Sequence, residues 1–532
     1  MKRRIQLLSV ILIFAGLLLA IRTVQHRLNA LRESERLVDT AVVENAPPVI
    51  AFTTVVLGSF RGLLADLLWL RAASLQDQGQ YFEMVQLASW ITKLQPRFTA
   101  AAAYLAWNMA YNISVTCSQP EDRWRWVQRG IELLRDEALI YNPGDALLYK
   151  ELGWIYQHKL GNILDDANLY YKNQLAISMM QVFGGPEPPL AELLAAAPDE
   201  AGLRKQLPEK AALWDAIRDA GFADFAELER QFRENGTLPE ALRNKLSAME
   251  LRPLEMTLRS RWLRQVFRLD PDLMQRLNQR YGKLDWRLPE AHAIYWASCG
   301  IEHDRSGEIK VECERMITQS LKDACNTGRL VMAEPEGFSF VMLAPNFNVI
   351  DATRQSYLDA WRRHEAKTFL DGLENFVASA VLSLYTYGHY AEARRQMAAM
   401  RKEFPDNPRW RRNLDEFVLE RWRQDVRDAS PQQAAIMVDG LIYRSCVFLA
   451  CGEYDTALAH ERLAAEVYQA YWKTQGDVWT RTGLPPFATM KARRTQLCLK
   501  NFPPLLAANL RRHLAAINQD PNRPPETPPK TE

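Results

Sequence analysis

From about residue 51 onward, apolar residues recur at intervals of three and four, few runs alternate like strands, and Gly or Pro interrupts roughly every fifteen to twenty residues. That rhythm dictates short amphipathic helices joined by tight turns, and so an all-α chain built from helix pairs. Neither helix of such a pair buries its apolar face alone, so successive pairs must stack to share one core. The composition fits a large helical body. Of 532 residues, 48% are apolar and 24% charged, which is ordinary for a globular protein.

The turns repeat in detail. Gly79-Gln80-Tyr81, Gly388-His389-Tyr390 and Gly452-Glu453-Tyr454 each separate two helical stretches, and in the last two an Ala (Ala393, Ala457) follows the Tyr by three. Pro96 and Pro405 each lie seventeen residues after their turn Gly. In "LLYKELGWIYQHK", Tyr149, Leu152, Gly153 and Tyr156 are spaced as W-x2-L-G-x2-Y with Tyr in place of Trp, and Ala138 stands five residues before Pro143. These runs resemble the tetratricopeptide repeat, and the stretch from "FRGLLADLLWLRA" to "AWNMAYNIS" resembles uncharacterised bacterial membrane-anchored proteins of that kind. The resemblance implies an α-α superhelical solenoid whose repeat-packing residues are Gly79, Tyr81, Leu152, Gly153, Tyr156, Gly388, Tyr390, Ala393, Gly452, Tyr454 and Ala457. It also implies an inner groove lined mainly by first helices, used for binding proteins. Pro96 to Pro143 spans 47 residues, more than the roughly 34 of one repeat, and "ISVTCSQPED" is the expected extra loop.

At the N-terminus, Lys2-Arg3-Arg4 precedes an uncharged apolar run from Ile5 to Ile21, closed by Arg22. Its length is at the short end of the roughly 17–25 residues that span a bilayer, and no small-x-small cleavage site precedes Arg22. The expectation is one transmembrane signal anchor, 1–22, in a single-pass membrane protein with the bulk of the chain on the exported side. A helical linker (23–50) follows, then repeats (51–183), a Pro/Ala-rich helical insertion (184–250) and further repeats (251–518) with an irregular or short β segment near 337–351. A Pro-rich disordered tail (519–532) ends the chain.

Charge and cysteines narrow the function. Lys plus Arg (66) balance Asp plus Glu (64), so no overall field favours nucleic acid. Seven scattered cysteines form no C-x-x-C pair, hence no disulfide framework and no zinc site. His364-Glu365 and His460-Glu461 lack the second His of a metalloprotease helix, and no phosphate-binding loop or nucleophile elbow exists. Nothing calls for a metal or cofactor.

Two kinds of cluster remain. "DWRLPEAHAIYWASCG", 285–300, collects Asp285, Glu290, His292, Trp296 and Cys299, but its spacing is that of a helix with Pro289 in its first turn. There His292 is expected on groove or solvent, Trp296 and Cys299 in packing, and "VECERMITQSLKDAC" as the partner helix. First helices carry the groove candidates: Trp107, Asn108, Tyr111 and Asn112 at i, i+4, and Lys150, Trp154, Gln157 and His158. Asn375 and Tyr385 are weaker candidates. Aromatic and amide side chains side by side suit an extended peptide or a sugar. The reading that follows is a membrane-anchored scaffold for envelope or membrane protein partners with no chemistry of its own. The alternatives are an envelope enzyme acting on glycan or peptide, its site built from the 184–250 insertion and the 285–300 helix with Glu290 and His292, or an assembly factor for a transporter or exporter.

Overall fold

The computed structural model describes residues 60–95, 97–207, 213–332, 341–426, 431–475 and 484–517, with isolated positions between 16 and 31. The expected anchor, most of the linker and the Pro-rich tail lie outside the described residues. Among those described, no helix is long and apolar enough to cross a membrane. The described residues are all-α apart from one two-stranded ribbon, and the chain divides into two compact units.

The first unit contains α1 (Phe60–Asp77) and α2 (Tyr81–Leu94), a hairpin whose shared core holds Ala65, Ala72 and Leu75 from one helix and Met84, Ala88 and Ile91 from the other. In the second, α3 (Thr99–Trp107), α4 (Pro120–Glu132) and α5 (Ala146–Trp154) each continue without a break into a π turn: Asn108–Ile113, Leu133–Ala138 and Ile155–Gly161. The next helix is α6 (Asn168–Phe183). Five short helices follow, α7 (Leu190–Ala195), α8 (Glu200–Gln206), α9 (Leu213–Asp219), α10 (Phe225–Asn235) and α11 (Glu240–Lys245). After α12 (Ala248–Gln265) and α13 (Pro271–Tyr281) come α14 (Pro289–His303) and α15 (Lys310–Thr327). Strands β1 (Arg329–Met332) and β2 (Met342–Ala344) pair antiparallel. The chain continues as α16 (Ile350–His364), α17 (Lys367–Thr386), α18 (Tyr390–Glu403), α19 (Leu414–Val426), α20 (Pro431–Ala450), α21 (Tyr454–Gln475), α22 (Phe487–Asn501) and α23 (Pro504–Ala516).

The three Gly-x-Tyr turns join α1 to α2, α17 to α18 and α20 to α21, and they are the same object. Each Gly has positive φ (+70°, +81° and +78°), which only glycine adopts cheaply. Each Gly N–H donates three residues back (Gly79 to Gln76, Gly388 to Tyr385, Gly452 to Leu449). The following N–H donates five back (Gln80 to Leu75, His389 to Leu384, Glu453 to Phe448). This is the Schellman closure of a helix end, and it lets the next helix start at once on the Tyr. Ala393 and Ala457 are buried, as close packing of the paired helices requires, but Tyr390 and Tyr454 are 39% and 44% exposed. These two tyrosines do not fill the gap between helices: at the first helical position the side chain projects over the turn, not into the seam.

Close approach elsewhere also falls on small residues. A Cβ on Gly130 would sit 2.8 Å from the Ala106 carbonyl oxygen, and one on Gly153 would sit 3.3–3.4 Å from backbone atoms of Ala297 and Ala293. Tyr149, Leu152, Gly153 and Tyr156 therefore make the seam between α5 and α14, where Tyr149 stacks on Trp296 and Tyr156 on His292. The "ISVTCSQPED" segment is not a long loop. Its first residues complete the π turn and a 3-10 turn (Ser114–Thr116), and Pro120 already opens α4, so the extra length is absorbed in longer helices.

Candidate binding cavity

A cavity of about 1010 Å³ opens among α3, α5, α15 and α17, with Tyr357 of α16. It is at the upper end of the usual range for ligand sites. From α3 come Ala100, Ala103, Tyr104 and Trp107, at i, i+3, i+4 and i+7. Asp145 starts α5 by accepting from the N–H groups of Leu147 (2.9 Å) and Leu148 (3.4 Å). From there Leu148 and Leu152 go into the core, while Lys150, Glu151 and Trp154 face the cavity. The π turn after Trp154 winds more slowly than an α-helix, which keeps Gln157 and His158 on the cavity side. The opposite wall is α15, with Glu312, Arg315, Met316, Gln319, Lys322 and Asp323, completed by Phe369, Gly372 and Asn375 of α17.

The first wall is a chain of rings. Tyr104 stacks on Trp107 (6.5 Å between centroids), Trp107 on Tyr111 (5.7 Å), Tyr111 meets His158 (5.6 Å), and His158 lies flat on Trp154 (4.8 Å, 11° between planes). Tyr104, Trp107 and Trp154 nevertheless keep 43%, 38% and 37% of their surface exposed. Gln157 Oε1 and His158 Nδ1 beside them, and Tyr111 Oη behind, are buried without a hydrogen-bond partner among the described residues. Burial, reinforced by Lys159, pushes the His158 pKa down, and burial with the Glu151 carboxylate pushes the Tyr111 pKa up, so both are neutral. Lys159 holds the base of this wall: its ammonium is 2.5 Å from Asp165 and lies over the rings of Tyr111 (5.5 Å) and Tyr171 (5.9 Å). Burial raises the Asp165 pKa, but the bonds from Lys159 and the Ala167 N–H, together with Arg123, outweigh it and leave the group below its ordinary value.

The second wall is charged. Lys150 bridges Glu151 (2.6 Å) and Glu312 (3.0 Å), the Arg315 guanidinium lies over Phe369 (5.6 Å), and Asp323 accepts from the Gln319 amide (3.0 and 3.2 Å). Burial holds the Asp323 carboxyl above its usual range. The cavity thus joins flat apolar faces, neutral polar atoms and both signs of charge.

Of the groove candidates, Trp107, Lys150, Trp154, Gln157 and His158 line this cavity together, and Tyr111 stands behind its wall. Asn108 and Asn112 do not. Asn108 is fully buried, donates to the Tyr104 carbonyl (3.1 Å) and accepts from Asn112 (2.7 Å), so the pair is bonded within its own helix. Asn375 lines the cavity, whereas Tyr385 packs edge-on against Tyr390. The α15 wall was not among the candidates. Its cavity residues follow a helical stripe opposite the buried Cys313, Ile317, Leu321 and Cys325, a pattern that in sequence is indistinguishable from a solvated face.

The 285–300 stretch is elsewhere. The Asp285 carboxylate accepts from Arg287 (2.7 and 2.8 Å) and from the Leu330 N–H (2.8 Å), fastening the ribbon. His292 faces neither groove nor solvent: it is 1% exposed, its Nε2 is 3.0 Å from the Trp286 carbonyl, and its ring stacks on Tyr156 at 4.9 Å. The close α5–α14 seam that Gly153 permits is what encloses it. Burial lowers its pKa to about 4. Glu290 is also buried, with one carboxylate oxygen unpartnered, and burial raises it to about 7 against the pull of Lys172. Burial pushes the Cys299 thiol up to about 12. Among the described residues, no cluster of His, Cys, Asp and Glu has the arrangement of a metal site. Comparison of the chain with protein-family models, with curated proteins and with solved structures finds no match.

Proposed function

We propose that the chain is a tetratricopeptide-like superhelical scaffold, tethered to a membrane by its N-terminal apolar run, which binds an extended segment of an envelope or membrane protein in the cavity. The observation that carries this is the ring wall: Tyr104, Trp107 and Trp154 half-exposed on the cavity beside Gln157 and His158. Gln157 and His158 put polar atoms on the same wall as the indoles. A peptide backbone supplies an N–H for the Gln157 oxygen, while its side chains lie on the indoles. The mixed charge of the α15 wall favours a polypeptide over a uniformly neutral glycan. The three identical helix turns support the repeat architecture.

On this reading the body is on the exported side and the protein does no chemistry of its own and needs no cofactor. The enzyme alternative draws on the 184–250 insertion with Glu290 and His292, and those two side chains are buried and line no part of the cavity. An assembly factor for a transporter or exporter differs only in the partner's identity. The test is purification of the full-length protein from its native membrane in mild detergent, with quantitative mass spectrometry of co-purifying proteins for the wild type, Trp107→Ala, Trp154→Ala and an exposed control, Arg218→Ala. A near-stoichiometric envelope protein lost from both Trp variants and retained by the control is the expected result. A partner set identical in all four proteins would refute the cavity as the binding site.

A further inference from the structure

Helix α1 is apolar on two sides. One face, Ala65, Ala72 and Leu75, is buried against α2. The other presents Leu63 (60% exposed), Leu67 (56%) and Leu70 (65%) at i, i+4 and i+7, with Leu64 (38%) beside them. The exposed Asp66 and Arg71 bound this strip, and α2 adds Trp90, 55% exposed, to the same unit. A contiguous leucine face this bare on a folded hairpin requires a cover.

We propose that the cover is lipid: the Leu63–Leu70 face of α1 lies in the interfacial layer of the bilayer that the N-terminal run enters. This rests on the membrane-anchor part of the proposed function, and not on the cavity. Two observations select lipid over a protein partner. The strip offers methyl groups only, with no buried donor or acceptor awaiting a register-specific partner, which is what acyl chains accept and what a specific protein interface rarely lacks. Only 38 residues lie between Ile21 and the start of α1, so a tethered hairpin meets the bilayer surface at high local concentration. Arg71, at the margin of the strip and paired with Glu83 (3.8 Å), is a side chain of the kind that settles at headgroup depth.

The experiment uses the full-length protein reconstituted into phosphatidylethanolamine–phosphatidylglycerol vesicles doped with a phosphatidylcholine that carries a photoactivatable diazirine on its acyl chain. Trypsin cuts after Arg61 and Arg71, so lipid adducts on the strip are isolated on the peptide 62–71, apart from those on the N-terminal run. Abundant adducts on 62–71, reduced about tenfold in Leu67→Glu/Leu70→Glu, are the expected result. Both substituted leucines are exposed, so the variant retains its fold, which circular dichroism checks. Absence of adducts on 62–71 while the N-terminal run is labelled would overturn the proposal and leave the anchor standing. The reverse pattern, adducts on 62–71 alone, supports the surface contact and removes the anchor. A zero-length cross-link of 62–71 to a second copy of the chain or to another protein, in place of lipid, also overturns it.

Discussion

Glu290 is the residue where burial and ionisation oppose each other most openly, and Glu290→Gln measures that conflict. The folded carboxyl ionises near 7 against an ordinary 4.5, because burial penalises the charged form more than Lys172 favours it. The sign follows directly. Below pH 4.5 the group is protonated in both states and its contribution to stability is complete. As pH rises toward 7 the unfolded chain releases the proton and the folded chain does not, so stability falls until the folded group ionises as well. A shift of about 2.5 units at about 1.4 kcal/mol each gives a loss of about 3 kcal/mol by pH 8. Gln keeps the shape and polarity of the protonated acid without the proton. The variant is therefore expected to match the wild type near pH 4 and to exceed it by about 3 kcal/mol at pH 8. Urea unfolding followed by circular dichroism across that range, with hydrogen exchange of the α14 amides as the local readout, gives the difference directly. A pH-independent difference would refute the reasoning, and a variant weaker at pH 8 would mean that Glu290 is ionised and paired with Lys172.

His292 imposes the opposite slope: its folded pKa of about 4 against 6.5 means that stability present above pH 6.5 is lost as pH falls toward 4, by about 3 kcal/mol. In His292→Phe the loss across that window should vanish, whatever fixed cost the missing bond to the Trp286 carbonyl adds; a persistent acid limb in urea titrations would contradict this. Leu152→Ala, at a fully buried position, should cost about 2–5 kcal/mol, whereas Trp154→Ala, two residues on, should cost about 1 kcal/mol or less. Equal losses in thermal melts would place Trp154 in the core and not on a binding wall. Gly153→Val puts a branched side chain against the α14 backbone and should destabilise by about 1–3 kcal/mol or more, and an unchanged melting curve would show that the α5–α14 seam is looser than described. Gly452→Ala, forced to φ +78°, should cost about 1 kcal/mol, with Gly440→Ala, where a Cβ meets open space, as the stabilised comparison.

The turns were legible in the sequence because their chemistry is local. A Gly at +70° to +81° and two backbone bonds to the preceding turn need nothing beyond the few residues that make them, so Gly-x-Tyr marks the same closure three times. The surroundings of each Tyr were not legible, since Tyr390 meets Tyr385 of its own hairpin whereas Tyr454 meets His513 of a helix 59 residues on. Half of the cavity was readable for the same reason. Spacing within one helix puts Lys150 and Trp154 on one side of α5, but no periodicity shows that α15, more than 150 residues later, closes the other side.

Asn108 and Asn112 meet because i, i+4 side chains are neighbours on any helix; Asn108 is buried and Asn112 half-buried, so the pair is satisfied within its own helix. After Trp154 the slower winding of the π turn leaves His158 flat on the indole. Such turns are less stable than α-helix and are retained where the displaced side chains serve a purpose. Two of the three here carry members of the ring wall, Tyr111 in one and His158 in the other, which meet across it at 5.6 Å. That contact joins two local departures from α-helical geometry, and neither is written in the three-and-four spacing of the apolar residues.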